Sequence, residues 1–188
     1  MKIQLLPFSL FLLMFKFFNK NKESVVITEY SVIKRYKKKK RFHSGLSAKQ
    51  SFMLEFNCLN SLKDTFECIC GYGEHFPKIL DYNLKKLELV LSYMGPTIYS
   101  LDPLVLNIPD LKLQCECIVQ NLKNAGVKHL DIHKNNLCLY NNVLGLIDFD
   151  IAHLENEEIY SDLIKRRLNY FGNSQREYVN NLLKTILF

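Results

Sequence analysis

The chain has 188 residues, of which 48% are hydrophobic, 12% are aromatic and 23% are charged, with seven glycines and five prolines. This composition excludes a disordered or fibrous protein, and the length suits one domain or two small lobes that share a cleft. The net charge of +6 comes from one segment, because residues 16–41 contain ten Lys and Arg against two Glu. We therefore expect a solvated basic patch and no nucleic-acid partner, since such a partner would favour basic residues throughout.

The amino-terminal segment is strongly apolar, and its role is open to three interpretations. Residues 3–18 resemble the core of a signal peptide, but no small-residue cleavage site follows them. The run is also interrupted by Pro7 and Lys16 and is shorter than the roughly 20 residues that a membrane-spanning helix needs. We favour a β-hairpin, with one strand at residues 8–18 and a second, rich in β-branched and aromatic residues, at residues 24–36. A cytoplasmic protein is therefore expected, and membrane association is not favoured.

The segments that follow predict a helix and then two strands. Ser47 is a candidate N-cap for a helix over residues 48–62, because apolar residues recur there at helical spacing. Residues 76–80 and 87–94 are apolar runs of strand length. Gly95 and the proline after it then mark the expected boundary between two lobes.

The second half of the chain is predicted to be mainly helical. A helical pattern covers residues 111–125, and Gly126 supplies a typical stop signal. A polar loop follows, and then a short hairpin whose turn is the pair Asn141 and Asn142. The remaining tail carries further helical patterns. No internal repeat is found.

The six cysteines do not form a familiar metal-binding pattern. They are Cys58, Cys68, Cys70, Cys115, Cys117 and Cys138. Four of them make two C-x-C pairs, whereas zinc knuckles use C-x-x-C spacing. The sequence also lacks a second ligand pair that includes a histidine at the spacing of a zinc motif. A chain of this length and apolarity does not need disulfides. We therefore expect reduced thiols among apolar neighbours, and metal binding is the less favoured alternative.

The most informative residues lie between positions 127 and 150. His129 and Asp131 precede Asn136, which follows the aspartate by five residues, and a strand-like segment then leads to Asp148. Phosphoryl transfer needs such a set, because one carboxylate orients or deprotonates the acceptor hydroxyl while an amide oxygen and a second carboxylate hold Mg²⁺ on the phosphates. Mg²⁺ keeps several waters, so one Asn and one Asp suffice. His129 is expected to hold the loop without reacting.

This pattern resembles the protein-kinase-like superfamily, whose catalytic loop reads H-x-D-x-x-x-x-N and whose metal motif reads D-F-G. The resemblance implies that Asp131 is the catalytic base and that Asn136 and Asp148 bind the Mg²⁺ of ATP. It extends upstream, where Lys34 is similar to the lysine that contacts the phosphates and Glu55 to the helix residue that pairs with this lysine. The cofactors implied are therefore ATP and Mg²⁺.

Further upstream segments are similar to the same family in the same order. Residues 75–82 resemble the entry to the fourth strand, and residues 89–96 resemble the fifth strand and the hinge. The backbones of Ser92 and Met94 are thereby expected to meet adenine. The resemblance covers residues 24–153, depends on motif order, and is nearest to small kinase-like proteins of large DNA viruses and phages.

The resemblance also implies an architecture and an activity. The expected fold is α+β and two-lobed, with a β-rich lobe at residues 1–94 and an abbreviated helical lobe at residues 95–188. The expected activity is Mg-ATP-dependent phosphotransfer, serine/threonine kinase-type, to a hydroxyl of an unknown protein or small molecule. The alternative is a catalytically inactive scaffold that binds a nucleotide or a protein partner.

Three departures from the family pattern leave the acceptor open. No glycine precedes Gly45, so a G-x-G-x-x-G loop over the phosphates is missing. Asp150 replaces the glycine of D-F-G, which resembles small-molecule kinases more than protein kinases, and it could be a second metal carboxylate or a loop cap. His133 stands where protein kinases place a lysine that steadies the transferring phosphate.

The same residues allow other interpretations. Three alternate residues, His129, Asp131 and His133, could form a metal cluster if they lay in a strand, although this would leave the downstream motif unexplained. Lys34 opens a basic run, so residues 37–40 compete with it for the role of phosphate contact. Glu55 could equally be a surface glutamate of its helix.

Overall fold

A computed structural model describes residues 23–37, 45–102, 106–159, 161–170 and 175–187, and it confirms a mixed α+β architecture. These segments hold four α-helices, one short 3₁₀ turn and eight strands in three antiparallel sheets. The strands are β1 (Glu23–Ile27), β2 (Ser31–Tyr36), β3 (Ile79–Asn83), β4 (Glu88–Ser92), β5 (Val127–Lys128), β6 (Leu137–Tyr140), β7 (Val143–Leu146) and β8 (His153–Leu154). The helices are α1 (Ala48–Thr65), α2 (Leu111–Asn124), α3 (Asp162–Tyr170) and α4 (Gln175–Leu187).

Residues 24–36 form two strands, so the prediction of one continuous strand was wrong. A tight turn separates β1 from β2, in which the Thr28 N–H donates to the Ser31 carbonyl at 2.8 Å. The Ser31 N–H in turn donates to the Thr28 hydroxyl at 3.0 Å. Short hydroxyl side chains stabilise turns in this way, and strand propensity alone does not register it. The other predicted strand, at residues 8–18, lies outside the described residues.

The largest sheet has the strand order β1-β2-β4-β3, and α1 packs against it. Ser47 caps α1 as predicted, because its hydroxyl accepts the Gln50 N–H while the Gln50 side chain accepts the Ser47 N–H. The helix continues to Thr65, one turn beyond its predicted end. The strand β4 confirms the predicted run at residues 87–94. The strand predicted at residues 76–80 was misplaced, because β3 begins at Ile79, after the proline, and continues to Asn83.

The second half of the described chain is helical around a small hairpin. The helix α2 ends before Gly126, which has a φ of +64°, and this confirms the predicted stop. Asn141 and Asn142 have φ values of +50° and +66°, as a two-residue hairpin turn between β6 and β7 requires. The buried Gln114 amide of α2 donates to the Asn142 carbonyl at 2.9 Å and accepts the Leu144 N–H at 2.8 Å. The hairpin is therefore fixed to α2.

Both halves of the described chain contribute to one main core. It includes residues of the helices α1, α2 and α4, of the strands β4 and β7, and of the loop after β7, among them Phe52, Leu89, Ile118, Leu144, Phe149 and Leu182. The helix α4 packs on α2 and extends this core at the carboxyl-terminal end. Among the residues placed by the structure, no helix combines the length and the apolarity that a membrane crossing requires.

Candidate functional site

The centre of the candidate site is the ammonium group of Lys34. The strand β2 directs this side chain inward, where only 7% of the residue is exposed. Its Nζ lies 2.5 Å from Glu55 Oε2 and 2.7 Å from Asp148 Oδ1. Residues 37–40 were the alternatives to Lys34 as the phosphate contact. Lys37, which is the one of these residues that the structure describes, is exposed. The structure thus brings together three residues that the sequence separates widely.

Glu55 is fully buried on α1 and has partners on both carboxylate oxygens. The Tyr36 hydroxyl donates to Oε2, which Lys34 also contacts, and the Phe149 N–H donates to Oε1 at 3.4 Å. A buried carboxylate is tolerated only with such compensation. Tyr36 was not among the predicted site residues. The available signal was its position two residues after Lys34, on the same face of a strand.

Asp148 has an unusual backbone and a perturbed carboxylate. Its φ is +68°, a left-handed conformation that costs an L-residue about 1–2 kcal/mol. About a third of the side chain, 36%, remains exposed. Burial raises the pKa of this carboxyl, but the charge and the hydrogen bond of Lys34 outweigh burial and hold the pKa below its usual value. Asp148 is therefore an ionised, partly accessible carboxylate at neutral pH.

His129 connects the loop that carries Asp131 to the loop that carries Asp148. Its buried ring donates from Nε2 to the Ile147 carbonyl at 2.9 Å, and its Nδ1 accepts the Asp131 N–H at 3.3 Å. Burial lowers the pKa of His129 to about 4, so the ring is neutral at pH 7. Because both ring nitrogens are occupied by backbone groups, His129 does not suit the alternative metal cluster with Asp131 and His133.

Asp131 lies at the centre of a second group of polar side chains. The Asn136 amide donates to the Asp131 carbonyl at 2.9 Å and to its Oδ2 at 3.3 Å. His133 Nε2 lies 3.3 Å from the same Oδ2. The Ile147 N–H donates to the Asn136 carbonyl at 2.9 Å, so this group borders the strand end that delivers Asp148.

Arg167 is the main site residue that the sequence analysis missed. It comes from α3, and its Nη1 lies 2.5 Å from Asp131 Oδ1 and 2.6 Å from the Leu130 carbonyl. Leu130, whose carbonyl accepts this hydrogen bond, has a left-handed backbone with a φ of +61°. Arg167 looked like one member of a basic helix face, and no spacing rule connects it to a residue 36 positions earlier.

The sites proposed for adenine lie where β4 leaves the sheet. The Ser92 N–H donates to the Lys78 carbonyl at 2.9 Å, so this particular group is engaged within the protein. Met94 follows the end of β4, and its side chain covers Gly145 of β7. The predicted hinge therefore meets the β6–β7 hairpin directly, and the expected contact of the Met94 backbone with adenine stays a prediction.

Gly95 allows this close approach, and Gly95→Ala is expected to destabilise the fold. Its φ is +90°, and an added Cβ would lie 2.5 Å from the Leu139 carbonyl oxygen. Backbone strain and overpacking together predict a loss of about 2–4 kcal/mol in the free energy of unfolding, measured by urea denaturation. Gly126→Ala is the matched control, since its φ of +64° is also positive but its nearest contact is 3.8 Å away. Equal losses in the two variants would contradict the contact argument.

The arrangement offers oxygen ligands suited to Mg²⁺. Asn136 uses its amide nitrogen on Asp131, which leaves the amide oxygen on the opposite side. The partly exposed Asp148 carboxylate and the Asp131 carboxylate are the neighbouring acidic groups. Carboxylate and amide oxygens are the donors that Mg²⁺ prefers. Asp150 is buried beyond Phe149, and its alternative role as a metal carboxylate remains a prediction.

Two comparisons with known sequences do not identify a function for this site. A scan against protein-family models finds no match for the chain, and a search of curated proteins finds no similar sequence. Function is therefore inferred from the side chains described above and from their contacts.

Proposed function

We propose that the chain is a Mg-ATP-dependent phosphotransferase with a two-lobed kinase-like fold, whose β-rich lobe runs through residue 94 and whose helical lobe follows. One observation carries the proposal: the buried Lys34 ammonium is held between Glu55 and Asp148. A lysine fixed by a buried glutamate beside an ionised aspartate suits the binding of nucleotide phosphates and their metal. A purely structural lysine would not need a second carboxylate that is 36% exposed.

The site residues divide the chemistry between them. Lys34 contacts the phosphates, and Glu55 fixes its position. Asn136 and Asp148 hold Mg²⁺, which neutralises phosphate charge when it is bound. Asp131 accepts or orients the proton of the acceptor hydroxyl, and His133, which is 46% exposed at the side chain, borders the space where the acceptor enters.

The acceptor is a hydroxyl of a protein or a small molecule, with serine or threonine as the protein candidates. Asp150, in place of a glycine after Phe149, favours neither class by geometry. All six cysteines are free, which suits a reducing compartment that also contains ATP. A cytoplasmic reaction is therefore part of the proposal; no nucleic-acid partner is expected, and membrane association is not favoured.

A second candidate is an inactive scaffold that binds a nucleotide or a protein. The observation in its favour is the ion pair between Arg167 and Asp131, at 2.5 Å. An arginine on the proposed base would oppose proton transfer unless the acceptor displaces it. The absence of glycine before Gly45 points in the same direction.

Melting temperature with and without Mg-ATP tests the nucleotide site. At about 10–100 times the Kd, binding is expected to add roughly 1.4–2.7 kcal/mol, or about 3–10 °C for a domain of this size. Asp148→Asn should lose the shift, because it removes a charged metal ligand. The shift should also require Mg²⁺.

The outcomes separate the two candidates. A metal-dependent shift together with phosphate transfer to a protein or small-molecule acceptor supports the transferase. A shift without turnover on any acceptor or water supports the scaffold. No shift in a folded sample would contradict nucleotide binding in both candidates.

A further inference from the structure

A group of three cysteines and one histidine lies apart from the site already described. Cys68, Cys70 and His75 belong to the segment between α1 and β3, and Cys117 comes from α2. Their four ligand atoms, three Sγ and one imidazole nitrogen, all lie within 4.8 Å of one another. Cys70 and Cys117 are buried, as is His75, while Cys68 is partly exposed. The fold thus gathers four soft or borderline donors at one point.

The sulfurs of Cys68 and Cys70 have the spacing of two ligands of one metal ion. Cys68 Sγ lies 3.7 Å from Cys70 Sγ, and Cys70 Sγ lies 3.0 Å from His75 Nε2. With Zn–S bonds of about 2.3 Å, two sulfurs on a tetrahedral zinc are separated by about 3.8 Å. A disulfide would instead need about 2.05 Å. The two sulfurs are therefore at the separation that a shared zinc ion requires.

The surrounding hydrogen bonds orient the donors inward. His75 Nδ1 donates to the Leu144 carbonyl at 2.7 Å, which directs Nε2 toward the sulfur of Cys70. The Gly73 N–H donates to Cys68 Sγ at 3.3 Å, and the Asn121 amide donates to Cys117 Sγ at 3.7 Å. Donors to sulfur stabilise the thiolate form.

The other three cysteines behave as ordinary buried thiols. Burial raises the pKa of Cys115 and Cys138 to about 12 and raises that of Cys58 further. These three are buried free thiols, as the sequence predicted.

We propose that Cys68, Cys70, His75 and Cys117 bind one Zn²⁺ ion as a structural site. Four protein ligands close a tetrahedral coordination sphere and leave no open position for substrate, which is typical of structural zinc. Three thiolates and one imidazole favour zinc over the hard cations that suit the oxygen-rich site near Asp148. The ion would join the segment after α1 to α2. This inference is independent of the proposed transferase activity.

Metal content of the purified full-length chain tests the proposal. The wild type, prepared without chelator, is expected to contain about one zinc per chain by elemental analysis. Cys68→Ser should lose this zinc, and because Cys68 is partly exposed this variant leaves the buried packing intact. Cys115→Ser is the matched control, since Cys115 is buried on the same helix as Cys117 but lies outside the cluster, and it should keep its zinc.

Cobalt binding by the wild type tests the zinc site even if Cys68→Ser does not fold. Co²⁺ added to the metal-free wild type should give the visible bands of tetrahedral, thiolate-bound cobalt, and Zn²⁺ should abolish them. Chelation should lower the melting temperature of the wild type and of Cys115→Ser.

Several results would overturn the zinc site. One is a folded wild type that contains no zinc and gives no cobalt spectrum. Another is a Cys68→Ser chain that keeps all of its zinc, and a third is a Cys115→Ser chain that folds but has lost its zinc. Iron and sulfide in place of zinc would likewise reject it.

Discussion

Asp131→Asn is expected to lower the turnover of phosphoryl transfer by about 10²–10⁴-fold while the nucleotide still binds. The amide cannot accept the acceptor's proton, but it keeps an oxygen for Arg167, which lies 2.5 Å from the native carboxylate. Lys34 and Asp148 are not touched by the substitution. Turnover and the Mg-ATP melting shift are therefore expected to separate, with the first lost and the second kept.

The measurement is steady-state transfer on the first acceptor identified, together with the melting shift of each variant. Asp162→Asn is the matched control, because Asp162 is an exposed aspartate in the first turn of α3, and it should change neither quantity. Arg167→Gln adds a second readout, since it removes the ion pair and leaves Asp131 in place. Unchanged turnover in Asp131→Asn would exclude this residue as the base.

Lys34→Met is expected to destabilise the fold by about 3–5 kcal/mol and to abolish nucleotide binding. The substitution leaves the carboxylate of Glu55 at 0% exposure without its cation. Removing one partner of a buried ion pair costs more than the pair contributes, because the remaining charge is desolvated and uncompensated. Urea denaturation measures the loss. Lys37→Met, at an exposed position, should change stability by less than about 0.5 kcal/mol.

The double variant Lys34→Met/Glu55→Gln should regain part of the stability lost in Lys34→Met, because it removes the unpaired buried charge of Glu55.

The dependence of stability on acid pH gives a further test of the pair between Lys34 and Asp148. Lys34 holds the pKa of Asp148 below its unfolded value, so this stabilisation is complete above about pH 4 and is lost as the pH falls through the folded pKa. The stability gap between wild type and Lys34→Met should therefore narrow in acid. If Lys34→Met loses no more stability than Lys37→Met does, the pair of Lys34 and Glu55 contributes little to the free energy of unfolding.

Local sequence signals predicted much of the secondary structure. Ser47 correctly predicted the start of α1, and Gly126 predicted the end of α2. The adjacent Asn141 and Asn142 supply the two positive φ values of a hairpin turn. Each of these signals acts through backbone geometry within a few residues, so it can be read without knowing the fold.

Contacts between distant segments could not be predicted in the same way. Lys34, Glu55 and Asp148 were named together only because the order of motifs resembles a known family. Arg167 and Cys117 belong to no such motif, and they reach their partners only after α3 and α2 have packed. Helical spacing identifies the buried face of a helix but not the residue that this face will meet.

The attachment of α1 determines where Glu55 lies. Near the carboxyl end of this helix the Ser61 hydroxyl donates to the Ala125 carbonyl at 2.8 Å, and the Asn121 amide pairs with both backbone groups of Glu67 at 2.8 Å. Glu55 lies six residues before Ser61, about 9 Å along the helix axis. The hydrogen bonds between this end of α1 and the α2 region therefore help to set the position of the carboxylate that holds Lys34, so the second half of the chain contributes to the geometry of the ion pair.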